Sequence, residues 1–183
     1  SNSAIFYASD GAVVARYNLT NGNWGRTLIT SNLPANTFIT WIGVDPNDAN
    51  HVLVSVGGYN DGRKVFETFN ANSATPDWEN ISRNLPNVPI NVVLMDSDGA
   101  NTIYLGTDIG VFVTNDNRVN WFMYTNGLPV TRVFDLEINR NINPARIYAA
   151  TFGRGVFSTE LYTGCLGTPL TVSGGVSGLQ YTE

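Results

Sequence analysis

The 183-residue chain has one cysteine and one histidine, and Lys64 is its only lysine. A single cysteine, Cys165, excludes an intrachain disulfide. Together with the lone His51 it leaves too few ligands for a His/Cys metal centre, so no metal or other cofactor is expected. Charged residues make up only 14% of the chain and sum to −5. Nucleic-acid binding needs a basic footprint, so that class is excluded, as is docking on anionic lipid. No apolar run approaches the roughly 20 residues that a membrane-spanning helix requires. Helical periodicity is missing as well.

What remains is a chain rich in Gly, Asn, Thr and Ser, with 43% hydrophobic residues to build a core. Helices favour Ala, Leu, Glu and Lys, whereas β-branched and aromatic runs broken by Gly and Asn favour strands and tight turns. The composition therefore predicts an all-β, loop-rich fold.

Four segments repeat one pattern: "AIFYASDGAVVARYNL" (4–19), "HVLVSVGGYNDGRKVFETFN" (51–70), "TIYLGTDIGVFVTND" (102–116) and "RIYAATFGRGVFSTEL" (146–161). Each is a β-branched and aromatic run, a Gly/Asp turn and a second alternating run, which is a hairpin signature. Between them recur a tryptophan and a Leu-Pro, as "NWGRTLITSNLP" (23–34), "DWENISRNLP" (77–86) and "NWFMYTNGLP" (120–129). Each Leu-Pro leads into a further apolar run: "FITWIGVD" (38–45), "INVVLMD" (90–96) and "VFDLEIN" (133–139).

One unit therefore reads as strand A after Leu-Pro, strands B and C around the Gly turn, and strand D near the tryptophan. Four antiparallel strands in about 40–50 residues match a β-propeller blade. The phase gives B-C-D, A-B-C-D, A-B-C-D and A-B-C. The expectation is a partial β-propeller of three to four blades over residues 1–161, forming the C-terminal portion of a larger ring. The other blades of that ring would be its partners. Residues 162–183 read as a linker or as the start of a truncated further region.

"TNDNRVNW" (114–121) resembles the Asp-box of sialidase-like (BNR-repeat) propellers, a superfamily that includes sortilin-type and xyloglucan-hydrolysing groups. Thr114, Asp116 and Trp121 fit the motif, while Arg118 stands for its glycine and Asn120 for its threonine. "NLTNGNW" (18–24) and "NANSATPDW" (70–78) keep the tryptophan but lack the aspartate. The tail from Cys165 is similar to the segment that follows such propellers in secreted Bacteroidetes proteins. There it leads into a sorting or attachment region. The resemblance implies a secreted or cell-surface protein that recognises carbohydrate, with glycoside hydrolysis confined to the intact protein. It also implies that Thr114, Asp116 and Trp121 are scaffold, on the face opposite the substrate groove.

The groove face of such a propeller is made by the D–A and B–C loops. These carry Tyr59, Arg63, Arg132, Phe152 and Arg154 as candidate ligand contacts. Aromatic faces suit the apolar side of a pyranose, and planar polar groups suit its hydroxyls. Asp61 and Asp108 are the candidate acids, since hydrolysis commonly needs two carboxyls about 5–5.5 Å or 6.5–9.5 Å apart. Asp108 and Arg154 are expected at one repeat position, solvating hairpin tips, and Arg132 is equally open to pairing with a neighbouring loop. Turn chemistry explains Asp61-Gly62 equally well, and the arginine cluster of sialidases has no counterpart here. Asp45, Asp96 and Asp98 lie in A–B turns without the ligand ladder of a calcium loop. A non-catalytic propeller serving as a protein-binding or cell-surface module stays open on these residues.

Overall fold

The computed structural model describes residues 4–96, 98 and 101–164. The segment from Cys165 to Glu183, with its resemblance to a sorting region, lies outside the described residues. Among the described residues all regular structure is β, in fourteen strands that form four antiparallel sheets. The first sheet holds β1 (Ile5–Ser9), β2 (Val14–Thr20) and β3 (Asn23–Leu28). The second holds β4 (Ile39–Val44), β5 (Val52–Val56), β6 (Val65–Thr68) and β7 (Glu79–Asn80). The third holds β8 (Ile90–Met95), β9 (Ile103–Thr107), β10 (Gly110–Thr114) and β11 (Phe122–Met123). The fourth holds β12 (Val133–Asn139), β13 (Arg146–Thr151) and β14 (Gly155–Glu160).

Within each sheet the strands run in chain order, because every connection is a hairpin-type turn. The three, four, four and three strands match the phasing drawn from the repeat. The inner strands β4, β8 and β12 pack side by side, so the sheets radiate as blades. Each pair of neighbouring sheets encloses its own apolar core. Val14, Ile29, Val54 and Trp78 lie in the first, Val65, Ile103, Leu105 and Trp121 in the second, and Val111, Leu136 and Ile147 in the third.

All three inner strands carry a bulge at the same place. The register slips between Ile39 and Trp41, between Ile90 and Val92, and between Val133 and Asp135. The extra residues are Thr40, Asn91 and Phe134, and a bulge re-aims the side chain it carries. Thr40 Oγ1 donates to the Ile90 carbonyl at 2.6 Å, and Asn91 Nδ2 donates to the Val133 carbonyl at 3.1 Å. Each thus ties its strand to the next blade one residue ahead of that blade's own bulge. Phe134, the third, turns an aromatic ring outward instead and is 45% exposed.

Candidate functional site

The B–C and D–A loops converge on one face. Their backbones are pinned identically: Gly57, Asp108 and Phe152 each donate N–H to the residue just ahead of the inner strand, at Phe38, Pro89 and Arg132. This fixes a correction to the repeat alignment. Asp108 is equivalent to Phe152, not to Arg154, because the fourth sheet's hairpin loop has three residues (152–154) and the third sheet's has two (108–109). Arg154 stands at the exposed tip created by the extra residue.

Asp108 and Arg132, from different blades, form a bidentate pair. Arg132 Nε lies 2.7 Å from Oδ1 and Nη2 lies 2.8 Å from Oδ2. Asn91 Nδ2 donates to the same carboxylate at 3.0 Å. The carboxylate holds the guanidinium above its ordinary pKa. Three donors therefore converge on the Asp108 carboxylate, which is committed to holding Arg132 and Asn91 in place.

The guanidinium lies 5.8 Å from the centroid of Phe134, and that ring meets Phe152 edge-on with centroids 5.9 Å apart. Tyr59 comes within electrostatic range of Arg132. Tyr59 is 70% exposed and Phe152 67%, and Phe38, beside Gly11 and Gly57, adds a further exposed ring on the same face. The structure therefore brings together Asp108, Arg132, Phe152 and Tyr59. It does not draw Asp61 or Arg63 into the set. Both are exposed, and among the described residues neither enters an ion pair.

Lys64 supports the loop that carries Tyr59. It is fully buried, and its Nζ donates to the Gly58 carbonyl at 2.7 Å. Burial pushes its ammonium below the ordinary pKa. Composition flagged it as the only lysine but not as a loop strut. Phe134 and Asn91 were hidden for a different reason: their orientation comes from the bulges, which alternation rules do not register.

The opposite face, made by the A–B and C–D turns, treats its charges differently. His51 Nδ1 sits 2.9 Å from Asp45 Oδ2, and Nε2 sits 2.7 Å from Glu67 Oε1. Arg118, from the next blade, donates to that same Glu67 oxygen from Nε at 3.0 Å and Nη2 at 2.6 Å. Glu67, His51 and Arg118 are all buried. Phe69 stacks on His51 with centroids 4.4 Å apart and lies under the Arg118 guanidinium. Burial acts to lower the His51 pKa, but its bonds to Glu67 and Asp45 outweigh that and hold the pKa above the ordinary imidazole value. Burial likewise acts to raise Glu67, and His51 and Arg118 outweigh it and hold the carboxyl low. The first interface uses the same register position with reversed sign: Arg16 is buried and donates to the Ala71 and Ser73 carbonyls.

Asp116 lies on this face too. It accepts the Val119 and Asn120 N–H groups at 3.0 Å each, and the Thr114 hydroxyl at 3.0 Å. Burial acts to raise its pKa, and these bonds together with the Asn120 side chain hold it below the ordinary value. Trp121 is 3% exposed, and its Nε1–H donates to the Ile81 carbonyl at 2.8 Å. Arg118 has φ of +62°, a left-handed conformation that favours glycine. Asp45 closes its own turn by accepting Asn47 N–H at 2.8 Å, and Asp96 and Asp98 pair with Arg140.

No protein-family model matches the chain, and no curated protein matches it. Solved structures do. The extracellular domain of a hybrid two-component system from B. thetaiotaomicron aligns with 83% of this chain and 20% of its own, at TM-score 0.51 and 14% identity. A GH74 xyloglucanase from Xanthomonas campestris aligns with 86% of this chain and 27% of its own, at TM-score 0.50 and 15% identity. Both likenesses are of fold. The protein is a sector of a β-propeller, and it spans only 20% and 27% of the length of those two chains.

Proposed function

We propose that the chain belongs to a secreted or cell-surface propeller that recognises carbohydrate on its B–C and D–A face. The observation that carries this is the cluster of exposed Tyr59, Phe134 and Phe152 rings around the Arg132–Asp108 pair. Flat apolar surfaces beside fixed planar hydrogen-bonding groups suit the two sides of a pyranose. The resemblance of "TNDNRVNW" to an Asp-box supports a place in the sialidase-like superfamily, with Thr114, Asp116 and Trp121 as scaffold. The xyloglucanase likeness adds a polysaccharide-active propeller of similar fold. Hydrolysis, where the intact protein performs it, would draw at least one acid from beyond this set, because Asp108 is engaged.

The second reading is a non-catalytic interaction module. It is favoured by the same engagement of Asp108 and by the extracellular sensor domain among the similar structures. Affinity electrophoresis of the chain through gels containing neutral and acidic polysaccharides tests the first reading. Retardation by at least one polysaccharide, lost in Tyr59→Ala and Phe152→Ala, is expected. Unretarded migration in every gel would remove it and leave the second.

A further inference from the structure

Two of the three blade contacts are built around an indole. Trp78 Nε1–H donates to the Ile29 carbonyl at 2.8 Å, and Trp121 Nε1–H donates to the Ile81 carbonyl at 2.8 Å. The accepting residues are equivalent. Ile29 and Ile81 each donate N–H to the first residue of the equivalent strand of their own sheet, Val14 of β2 (2.9 Å) and Val65 of β6 (3.0 Å).

The third contact has the same seat. Tyr124 N–H donates to the Val111 carbonyl at 2.8 Å, which sets the Tyr124 carbonyl where those of Ile29 and Ile81 stand. Around Trp121 lie Val65, Leu85, Val93, Ile103, Leu105 and Phe112. One blade later the same register positions hold Val111, Leu128, Leu136, Ile147, Ala149 and Phe157, and these form the apolar side of an open cavity of about 200 Å³ that Thr125, Asn126, Ser158 and Thr159 also line. An apolar cavity of about 150 Å³ already admits a benzene ring.

We propose that this cavity, between the third and fourth sheets, is a receptor for a tryptophan on an extended polypeptide segment from outside residues 4–164. The segment adds antiparallel to β14, whose Val156 is 68% exposed. The filled contacts set its register. Trp121 directly precedes Phe122 and Met123, which pair with Val113 and Phe112. Trp78 directly precedes Glu79 and Asn80, which pair with Glu67 and Phe66. The incoming tryptophan therefore precedes two residues that pair with Ser158 and then Phe157.

The chain's own tryptophans are committed elsewhere. Trp78 and Trp121 fill their own seats, Trp24 is held in β3 opposite Leu19, and Trp41 lies in β4 opposite Ser55. Residues 165–183 contain no tryptophan. The donor tryptophan is thus none of these four, and its indole N–H bonds to the Tyr124 carbonyl.

The test titrates the 183-residue chain into a fluorescein-labelled peptide copying residues 117–128, NRVNWFMYTNGL, and follows anisotropy. Saturable binding is expected, weakened by at least about tenfold when the peptide's tryptophan is alanine, as for a buried aromatic anchor. A peptide with 1-methyltryptophan keeps the ring, loses the N–H donor and binds several-fold more weakly. Amide exchange across Gly155–Glu160 slows on binding. The chain variant Ala149→Phe fills the cavity and abolishes binding while its circular dichroism stays native; if that variant does not fold, the peptide variants decide alone. Absence of saturable binding overturns the proposal. So does equal binding of the alanine peptide, or a self-association of the chain that the peptide leaves intact, which would give the seat to a second copy.

Discussion

The two faces of this propeller sector spend the same residue types in opposite ways. On the turn face, Glu67, His51 and Arg118 are buried and joined through the Glu67 carboxylate, with His51 held above and Glu67 below its ordinary pKa. On the loop face, Arg132 is half exposed, and Tyr59 and Phe152 expose two thirds or more of their surface. A buried charge stripped of its partner costs far more than an exposed one. The turn face is therefore where substitutions break the structure. The loop face is where they change what it meets.

The sharpest break should come from Arg118→Gly. Glycine accepts the φ of +62°, so the loss reports the ion pair rather than backbone strain. Leaving Glu67 buried without its guanidinium should cost about 3–5 kcal/mol, a fall in thermal midpoint of roughly 6–20 °C for a chain of this size. Glu67→Gln should restore part of that loss in the double mutant, because the uncompensated charge is gone. A loss below about 1 kcal/mol in Arg118→Gly would erase the contrast between the faces.

Asp116→Ala should cost less, about 1–2 kcal/mol, because apart from the Thr114 hydroxyl its partners are exposed N–H groups that water can serve. Urea unfolding reads this directly.

The pH profile tests His51. Its folded-state pKa is raised, so its contribution is complete below the unfolded imidazole value of about 6.5 and disappears as pH rises through the folded value. Glu67 and Asp45 are lowered, so theirs are complete above the unfolded carboxyl values of about 4 and disappear as pH falls through the folded values. Stability should peak between about pH 4.5 and 6.5. His51→Gln should flatten the alkaline limb while leaving an acid limb, as measured by melting across pH. An alkaline limb of unchanged slope would show that His51 is not its source.

Smallest of all in stability, Tyr59→Ala and Phe152→Ala should stay within about 0.5 kcal/mol of the parent, while polysaccharide retardation is lost. If either destabilised the chain as much as Arg118→Gly, the loop face would be scaffold too.

Much of the fold was legible because four hairpins recur with Leu-Pro and tryptophan between them, and a repeat fixes strand order without any long-range inference. Even β7 and β11, two residues each, were signalled by the tryptophans beside them. The site was less so. Arg132 and Asp108 lie on different blades; the sequence left Arg132 open to pairing with a neighbouring loop, but named neither the partner nor the bidentate geometry. Arg118 read as erosion of a glycine position, whereas its guanidinium reaches 51 positions back along the chain to Glu67. The one available hint was Glu67 itself, a carboxylate on an otherwise apolar strand, "VFETF". Arg154 was misplaced because a single extra loop residue shifts the tip without disturbing the strands.

The bulges at Thr40 and Asn91 also act as a detent that sets the angular phase of the inner strands they tie to the next blade. Whatever the length or sequence of the connection ahead of it, the strand locks at the same height once its bulge residue is seated. Ile29, Ile81 and Leu85 in the connections belong to the blade cores, but the exposed tips around Asn36, Asn87 and Val130 are uncoupled from the wheel they decorate. They are the segments in which new specificity can be grafted without re-timing the blades.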